Sequence, residues 1–270
     1  MSEHSSIALG HSGESRRVAW CVGVMTLSVL LHVGVSVAEP ADQLPDLRPY
    51  LPLGALGDVI DIVEDDFEAP SGRALRFESY VHNAGSMPLV IQGRERQGTG
   101  VRTRRALQCL PDGSQLGIVG CPIERDAGAL QLYEMVDLFD PERCFSFENL
   151  VLYELRAVLD GEPDFRPEGL IASTDAAFPL EDDVSWAGAS TTTTQHPSCL
   201  GWQRQGLTPG FMTRRHLEQR GQYLDIAGRN GTFALVMNVD PLDRLAESDE
   251  TNNTTWLIVR ISGLNVEVIE

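Results

Sequence analysis

Residues 142–156 read ERCFSFENLVLYELR, and they indicate the architecture of the whole chain. From Phe145 onward, large apolar residues recur against polar or smaller neighbours, and the stretch is rich in aromatic and aliphatic side chains. This two-residue period and this composition are typical of a β-strand. We therefore predict one long central strand here.

Shorter stretches with similar patterning occur on both sides of residues 142–156. Ala74–Val81 alternates and ends at a turn around Asn83, and a further strand is predicted from Met87. Turns rich in Gly, Pro, Asn and Asp separate the strands. Helical periodicity is nearly absent, and Gly210–Gly221 is the one segment for which we predict a short helix. The fold class expected is all-β, an antiparallel β-sandwich with long loops and few short helices.

The first 38 residues have the order of segments found in a secretory signal. A polar start ends in two arginines, the apolar run Val18–Val37 follows, and small residues precede Glu39. We expect cleavage after Ala38, which leaves residues 39–270 as one sandwich domain. An uncleaved anchor is the alternative, because the apolar run is just long enough to span a bilayer. We expect membrane contact only through this segment and location in the periplasm, at the cell surface or outside the cell.

The charge of the chain restricts its partners. The formal net charge of the 270 residues is −18, and 42% of the residues are hydrophobic, an ordinary share for a globular protein. So negative a chain repels nucleic acid and anionic lipid. We expect an extracellular or periplasmic protein partner and no nucleic acid. All basic residues are Arg, because the sequence contains no Lys.

Cysteine usage fits an oxidising compartment. Four cysteines remain beyond the predicted signal, and four allow three pairings. Cys109 and Cys121 flank a Pro-Asp-Gly turn, so we predict that they form one disulfide. Cys144 and Cys199 would then form the other. A zinc site is not expected, because no Cys-x-x-Cys pair is present.

Several motifs carry a family resemblance. The sequence has LPDLRP at 44–49, LVLYEL at 150–155, QGLTPG at 205–210 and LAESDETNN at 245–253. Together they resemble the lysyl oxidase family, which are secreted copper amine oxidases. The resemblance covers roughly residues 44–52 and 127–261, and it implies the β-sandwich of that family's catalytic domain.

The resemblance also implies a copper and quinone site, but the residues that would form it are replaced. In the family, alternating histidines before the LVLYEL-like ending bind copper. The matching positions here carry Glu142, Cys144 and Ser146. The family's quinone is made from a tyrosine joined to a lysine, and here no tyrosine stands just before Cys199 and no lysine exists. Three histidines follow the predicted signal, and they are scattered: His82, His196 and His216.

We therefore expect a non-catalytic lysyl-oxidase-like protein with a binding or structural role, with no catalytic residues and neither metal nor cofactor. One alternative is a copper-dependent amine oxidase acting on CH–NH₂ donors through a divergent site, with copper as its cofactor. Another is a CARDB-like adhesion sandwich, which the 83–85 turn and the 247–253 hairpin also resemble; two small sandwiches in tandem would favour it. The acidic loops at 182–183 and 240–249 are weak candidates for calcium, because they lack a recognised calcium-loop spacing.

Overall fold

The computed structural model describes residues 43–52, 60–95, 103–111, 121, 123–134, 143–186, 193–196 and 203–269. These residues are nearly all β, with a short 3-10 turn at Pro167–Gly169. The strands are β1 Leu47–Tyr50, β2 Ile60–Glu64, β3 Arg73–Phe77, β4 Ser79–Asn83, β5 Leu89–Glu95, β6 Thr103–Leu110, β7 Ile123–Glu134, β8 Arg143–Leu159, β9 Glu162–Pro163, β10 Leu170–Pro179, β11 Val184–Ser185, β12 Gln205–Leu207, β13 Phe211–Arg215, β14 Tyr223–Asp225, β15 Gly231–Val239, β16 Thr254–Ser262 and β17 Asn265–Val268.

The described strands form three antiparallel sheets. The largest has the order β12-β5-β6-β7-β8-β15-β16-β17, and β9 and β10 also pair with β8. A four-stranded sheet has the order β1-β4-β13-β11, and a three-stranded sheet has the order β14-β3-β2. One core of buried side chains, extending along the chain from Leu47 to Ile261, receives residues from all three sheets. The predicted fold class, all-β with antiparallel sheets packed as in a sandwich, is confirmed.

Strand β8 is the long central strand that the sequence predicted. Its first part pairs with β7 up to Phe147, and its second part pairs with β15 from Val151 onward. Asn149 lies between the two parts with a φ of 52°, a conformation that Asn adopts more readily than most residues. The register against β10 also shifts at this point. The kink at Asn149 therefore lets one strand join two halves of the large sheet.

Tyr153 on β8 connects the large sheet to the two smaller ones. Its ring is fully buried and packs edge-on against Phe77, with ring centroids 4.8 Å apart. Its hydroxyl and the Ser79 hydroxyl share a hydrogen bond of 2.6 Å, and the Gln222 amide donates to the same Ser79 oxygen at 2.9 Å. Burial raises the pKa of Tyr153 to about 12, so this phenol is a neutral structural group.

Two of the secondary-structure predictions were wrong. Gly210–Gly221 was predicted as a short helix, but its first part is strand β13, which pairs with β4. Ala74–Val81 was predicted as one strand, but it is split at Glu78 between two sheets. The buried Glu78 carboxylate accepts a hydrogen bond from Arg214 on β13 at 2.5 Å. The alternation of residues 74–81 does not predict this break, because it depends on an ion pair with a residue far away in the sequence.

The cysteine prediction is confirmed for one pair. Cys109, near the end of β6, is bonded to Cys121, and their Cα atoms are 4.9 Å apart. Cys199 lies outside the described residues, as does the side chain of Cys144, so that pairing stays a prediction.

The predicted signal also lies outside the described part of the chain. Glu39–Glu270 forms one compact unit. Among the described residues, no helix is long and apolar enough to cross a membrane.

Asn83, at the end of β4, ties together three segments that are far apart in the sequence. Its side-chain oxygen accepts from the backbone N–H of Asp46 at 3.2 Å and of Gly85 at 3.1 Å. Its side-chain nitrogen donates to the carbonyls of Leu207 at 2.8 Å and of Met87 at 2.9 Å. The amide is fully buried, and all four bonds it can make are made. Two of the motifs that carry the family resemblance, 44–49 and 205–210, thus meet at this one side chain.

Asn83→Asp should destabilise the protein severely. A carboxylate has the same shape but cannot donate, so the two carbonyls would face a buried negative charge instead of an N–H. We expect the free energy of unfolding to fall by about 3 kcal/mol or more, measured by urea denaturation at pH 7. Asn265→Asp, on the exposed face of β17, is the matched control. A loss at Asn83 no larger than in the control would contradict this role.

Candidate functional site

The position that matches the family's copper ligands and has a described side chain is Ser146, and it lies in the core. Ser146 is 1% exposed and stands between the buried Phe145 and Phe147 on β8. It pairs with Pro179 of β10 on one side and with Gln131 of β7 on the other. Its hydroxyl has no hydrogen-bond partner among the described residues. This position is therefore sealed within the sandwich.

Copper does not fit the donors that the structure describes. Glu142 lies outside the described residues, and of Cys144 only the backbone is described. That leaves the Ser146 hydroxyl, a poor ligand for a metal that favours imidazole. Within the described part of the chain, no group of three or more His, Cys, Asp or Glu side chains is arranged to hold a metal ion.

The three histidines lie in three different surroundings. His82 is on the outer face of β4, His216 follows β13 at the surface, and His196 is buried beside Gly206. Burial lowers the pKa of each, and nearby arginines lower each further, so all three are neutral at pH 7.

Gly206, in the QGLTPG motif, is required for close packing. A Cβ atom there would stand 2.1 Å from the Leu89 carbonyl oxygen and 2.7 Å from Nε2 of His196. Any side chain at this position would therefore displace the backbone of β5. The glycine serves the packing of β12 against β5.

Asp182 is a structural anchor for the same motif. One carboxylate oxygen accepts from the Thr208 N–H at 2.7 Å. The other accepts from the Thr208 hydroxyl at 2.6 Å and from the backbone N–H groups of Gln195 and His196 at 2.9 and 3.0 Å. Both oxygens are used, so Asp182 is not available to a cation.

The acidic loop after β15 lines an open cleft of about 360 Å³. Asp240, Asp243 and Glu250 contribute to its walls. Asp240 already accepts from the Leu245 N–H at 2.7 Å, and none of the described residues here belongs to a metal-binding cluster. The calcium expectation for this loop finds no support among them.

Glu247 in the same loop holds the first strand in place. Its carboxylate accepts from the backbone N–H of Leu47 in β1 at 2.5 Å and from the Asn253 amide at 3.1 Å. Burial, with a smaller effect of the Glu250 carboxylate, raises the pKa of Glu247 to about 8 in spite of the two donors, which lower it. The carboxyl group therefore holds a proton in the folded protein at pH 7.

This raised pKa makes the stability depend on pH. Between the ordinary value of 4.5 and about 8, the folded protein binds a proton at Glu247 that the unfolded chain does not bind. The contribution of this group to the free energy of unfolding therefore falls as pH rises, by up to about 1.4 kcal/mol per pH unit. Glu247→Gln keeps an acceptor for Leu47 without the charge, so its stability relative to wild type should rise from pH 5 to pH 8. Urea denaturation across that range measures the difference.

Glu267→Gln is the control for this prediction, because its side chain is exposed on β17. Its stability relative to wild type should not change with pH. The same flat profile in Glu247→Gln would show that the buried carboxyl is not protonated.

Sequence reasoning missed an aromatic cluster on the outer side of the four-stranded sheet. We call it the aromatic face and define it by Tyr50, Tyr80, His82 and Trp186, with Arg48 and Arg214 at its margins. Strand pairing places Tyr50 opposite Tyr80, and Arg48 opposite His82. The available signal was the alternation within β1 and β4, whose outward positions are Arg48, Tyr50, Tyr80 and His82.

Trp186 brings these side chains together. Its indole stacks on the His82 ring at 5.1 Å with an interplanar angle of 25°. The Tyr50 ring meets it nearly at a right angle, 78°, at 5.5 Å, and Tyr80 follows 5.8 Å beyond Tyr50. The arrangement can bind a flat apolar surface, because aromatic rings with exposed edges and faces are typical contact groups.

No protein-family model matches the chain, and no curated protein matches it significantly.

Proposed function

We propose that this chain is an exported, non-catalytic protein of lysyl-oxidase type, with a binding or structural role. The observation that carries this proposal is the absence of any lysine from the sequence. A quinone that joins a tyrosine to a lysine side chain cannot form within such a chain. This exclusion holds for any alignment of the motifs.

The surroundings of Ser146 support the same proposal. A copper ligand needs a position from which it can reach an ion and a substrate, whereas Ser146 is 1% exposed and lies within the sheet between β7 and β10. The motifs behind the resemblance have structural roles in this chain: 44–49 and 205–210 meet at Asn83, and 245–253 holds β1 through Glu247. Such contacts give these motifs a role in the fold that does not require amine oxidation.

The CARDB-like alternative is less well supported. It predicts two small sandwiches in tandem, whereas residues 39–270 form one compact unit and share one principal core among the described residues. The amine oxidase alternative requires copper and a cofactor whose synthesis needs no lysine. Export is proposed from the order of segments within residues 1–38.

Copper loading and peroxide release test the proposal. Full-length protein incubated with Cu(II) and then dialysed should retain copper well below one equivalent. It should give no quinone staining and release no hydrogen peroxide from alkyl amines. His216→Ala is the control, because an exposed histidine can bind copper adventitiously. Stoichiometric copper that survives this substitution, together with a quinone signal, would overturn the proposal.

A further inference from the structure

Two rings of the aromatic face, those of Trp186 and Tyr50, stand nearly perpendicular to each other. The Trp186 indole stacks on the His82 ring, so the imidazole covers part of one face of the indole. Trp186 is 39% exposed and Tyr50, which stands nearly perpendicular to it, is 38% exposed. A flat ligand can therefore stack on the indole while its edge contacts the tyrosine.

Each arginine at the margin of the aromatic face is paired with a carboxylate. Arg48 pairs with Asp46 at 2.7 Å, and Arg214 pairs with Glu78 at 2.5 Å. In each pair the carboxylate is buried while the guanidinium is partly exposed. His82 between them is neutral at pH 7, since burial lowers its pKa. The face thus offers planar hydrogen-bond donors with little net charge.

We propose that the aromatic face binds a neutral polysaccharide, with one pyranose ring stacked on Trp186 and its hydroxyl groups hydrogen-bonded to Arg48 and Arg214. The C–H face of a pyranose is flat and apolar, as the indole requires, and its hydroxyls match the donors of a guanidinium. Strand geometry places Arg48 and Arg214 roughly 12 Å apart, two strands and two residues away from each other. An extended glycan lying diagonally across the sheet reaches both.

The charge of the chain selects against other ligands. Polyanions are repelled by a net charge of −18, which opposes both nucleic acids and acidic polysaccharides. Aromatic rings otherwise attract a cationic ligand. Here the exposed guanidinium of Arg48, at the margin of the aromatic face, repels it. A neutral sugar meets neither obstacle.

Affinity electrophoresis in native gels tests the proposal. The probes are soluble neutral polysaccharides that cover β-1,4-, β-1,3-, α-1,4- and α-1,6-linked backbones, with alginate and an acidic peptide as charged comparisons. At least one neutral polysaccharide should retard wild-type protein. Trp186→Ala should weaken that binding about tenfold or more, because a stacking ring and its buried area are lost. Tyr50→Ala should weaken it less.

Trp256→Ala is the matched control. Trp256 is 41% exposed, nearly the same as Trp186, but it lies on β16 in the large sheet and contacts Phe165. Its removal should leave glycan binding unchanged, and thermal denaturation should show that both variants fold. The proposal is overturned if no neutral glycan retards the protein, if both tryptophan variants lose binding equally, or if alginate or the peptide binds more tightly.

This inference rests on the binding role in the proposed function and names its ligand class. The two tests fail independently. Loss of glycan binding would leave the copper and peroxide results intact, and a copper-quinone centre would not alter the electrophoresis.

Discussion

The structure depends on the need to satisfy one buried amide. Asn83 is the last residue of β4. Its side chain forms hydrogen bonds with backbone groups of three separate segments. A buried N–H or C=O without a partner costs about 1–3 kcal/mol. A single side chain therefore prevents a penalty at the first strand, at the turn after β4 and at the end of β12. Glu247 performs the corresponding task on the other side of β1.

The sequence predicted well those strands whose alternation of apolar and polar residues can be recognised within the strand itself. Residues 151–155 alternate because one face of β8 packs into the core while the other is partly exposed, and the aromatic and aliphatic content of the strand marks it without knowledge of its neighbours. The Cys109–Cys121 disulfide was also predictable, because the two cysteines are only 12 positions apart and flank a turn-forming Pro-Asp-Gly sequence. The break at Glu78 and the strand at Phe211–Arg215 were not, since each depends on an ion pair or a ladder with a residue more than a hundred positions away.

The candidate sites divide in the same way. The absence of lysine can be read from the sequence alone, so a lysine-derived quinone is excluded without any knowledge of the fold. The aromatic face could not be found in this way. Tyr50, Tyr80 and Trp186 are separated by long stretches of chain, and only the pairing of β1, β4, β13 and β11 brings them together. Residues that stand alone in a sequence become a surface when a sheet aligns them.

The long reach of the contacts around β1 has a kinetic consequence. Leu47 is held by a side chain 200 positions later, and Asp46 accepts from the Asn252 amide 206 positions later. Closure of such distant loops slows folding, as is general for β-proteins of high contact order. The N-terminal edge of the domain cannot be completed during synthesis until nearly the whole chain has emerged.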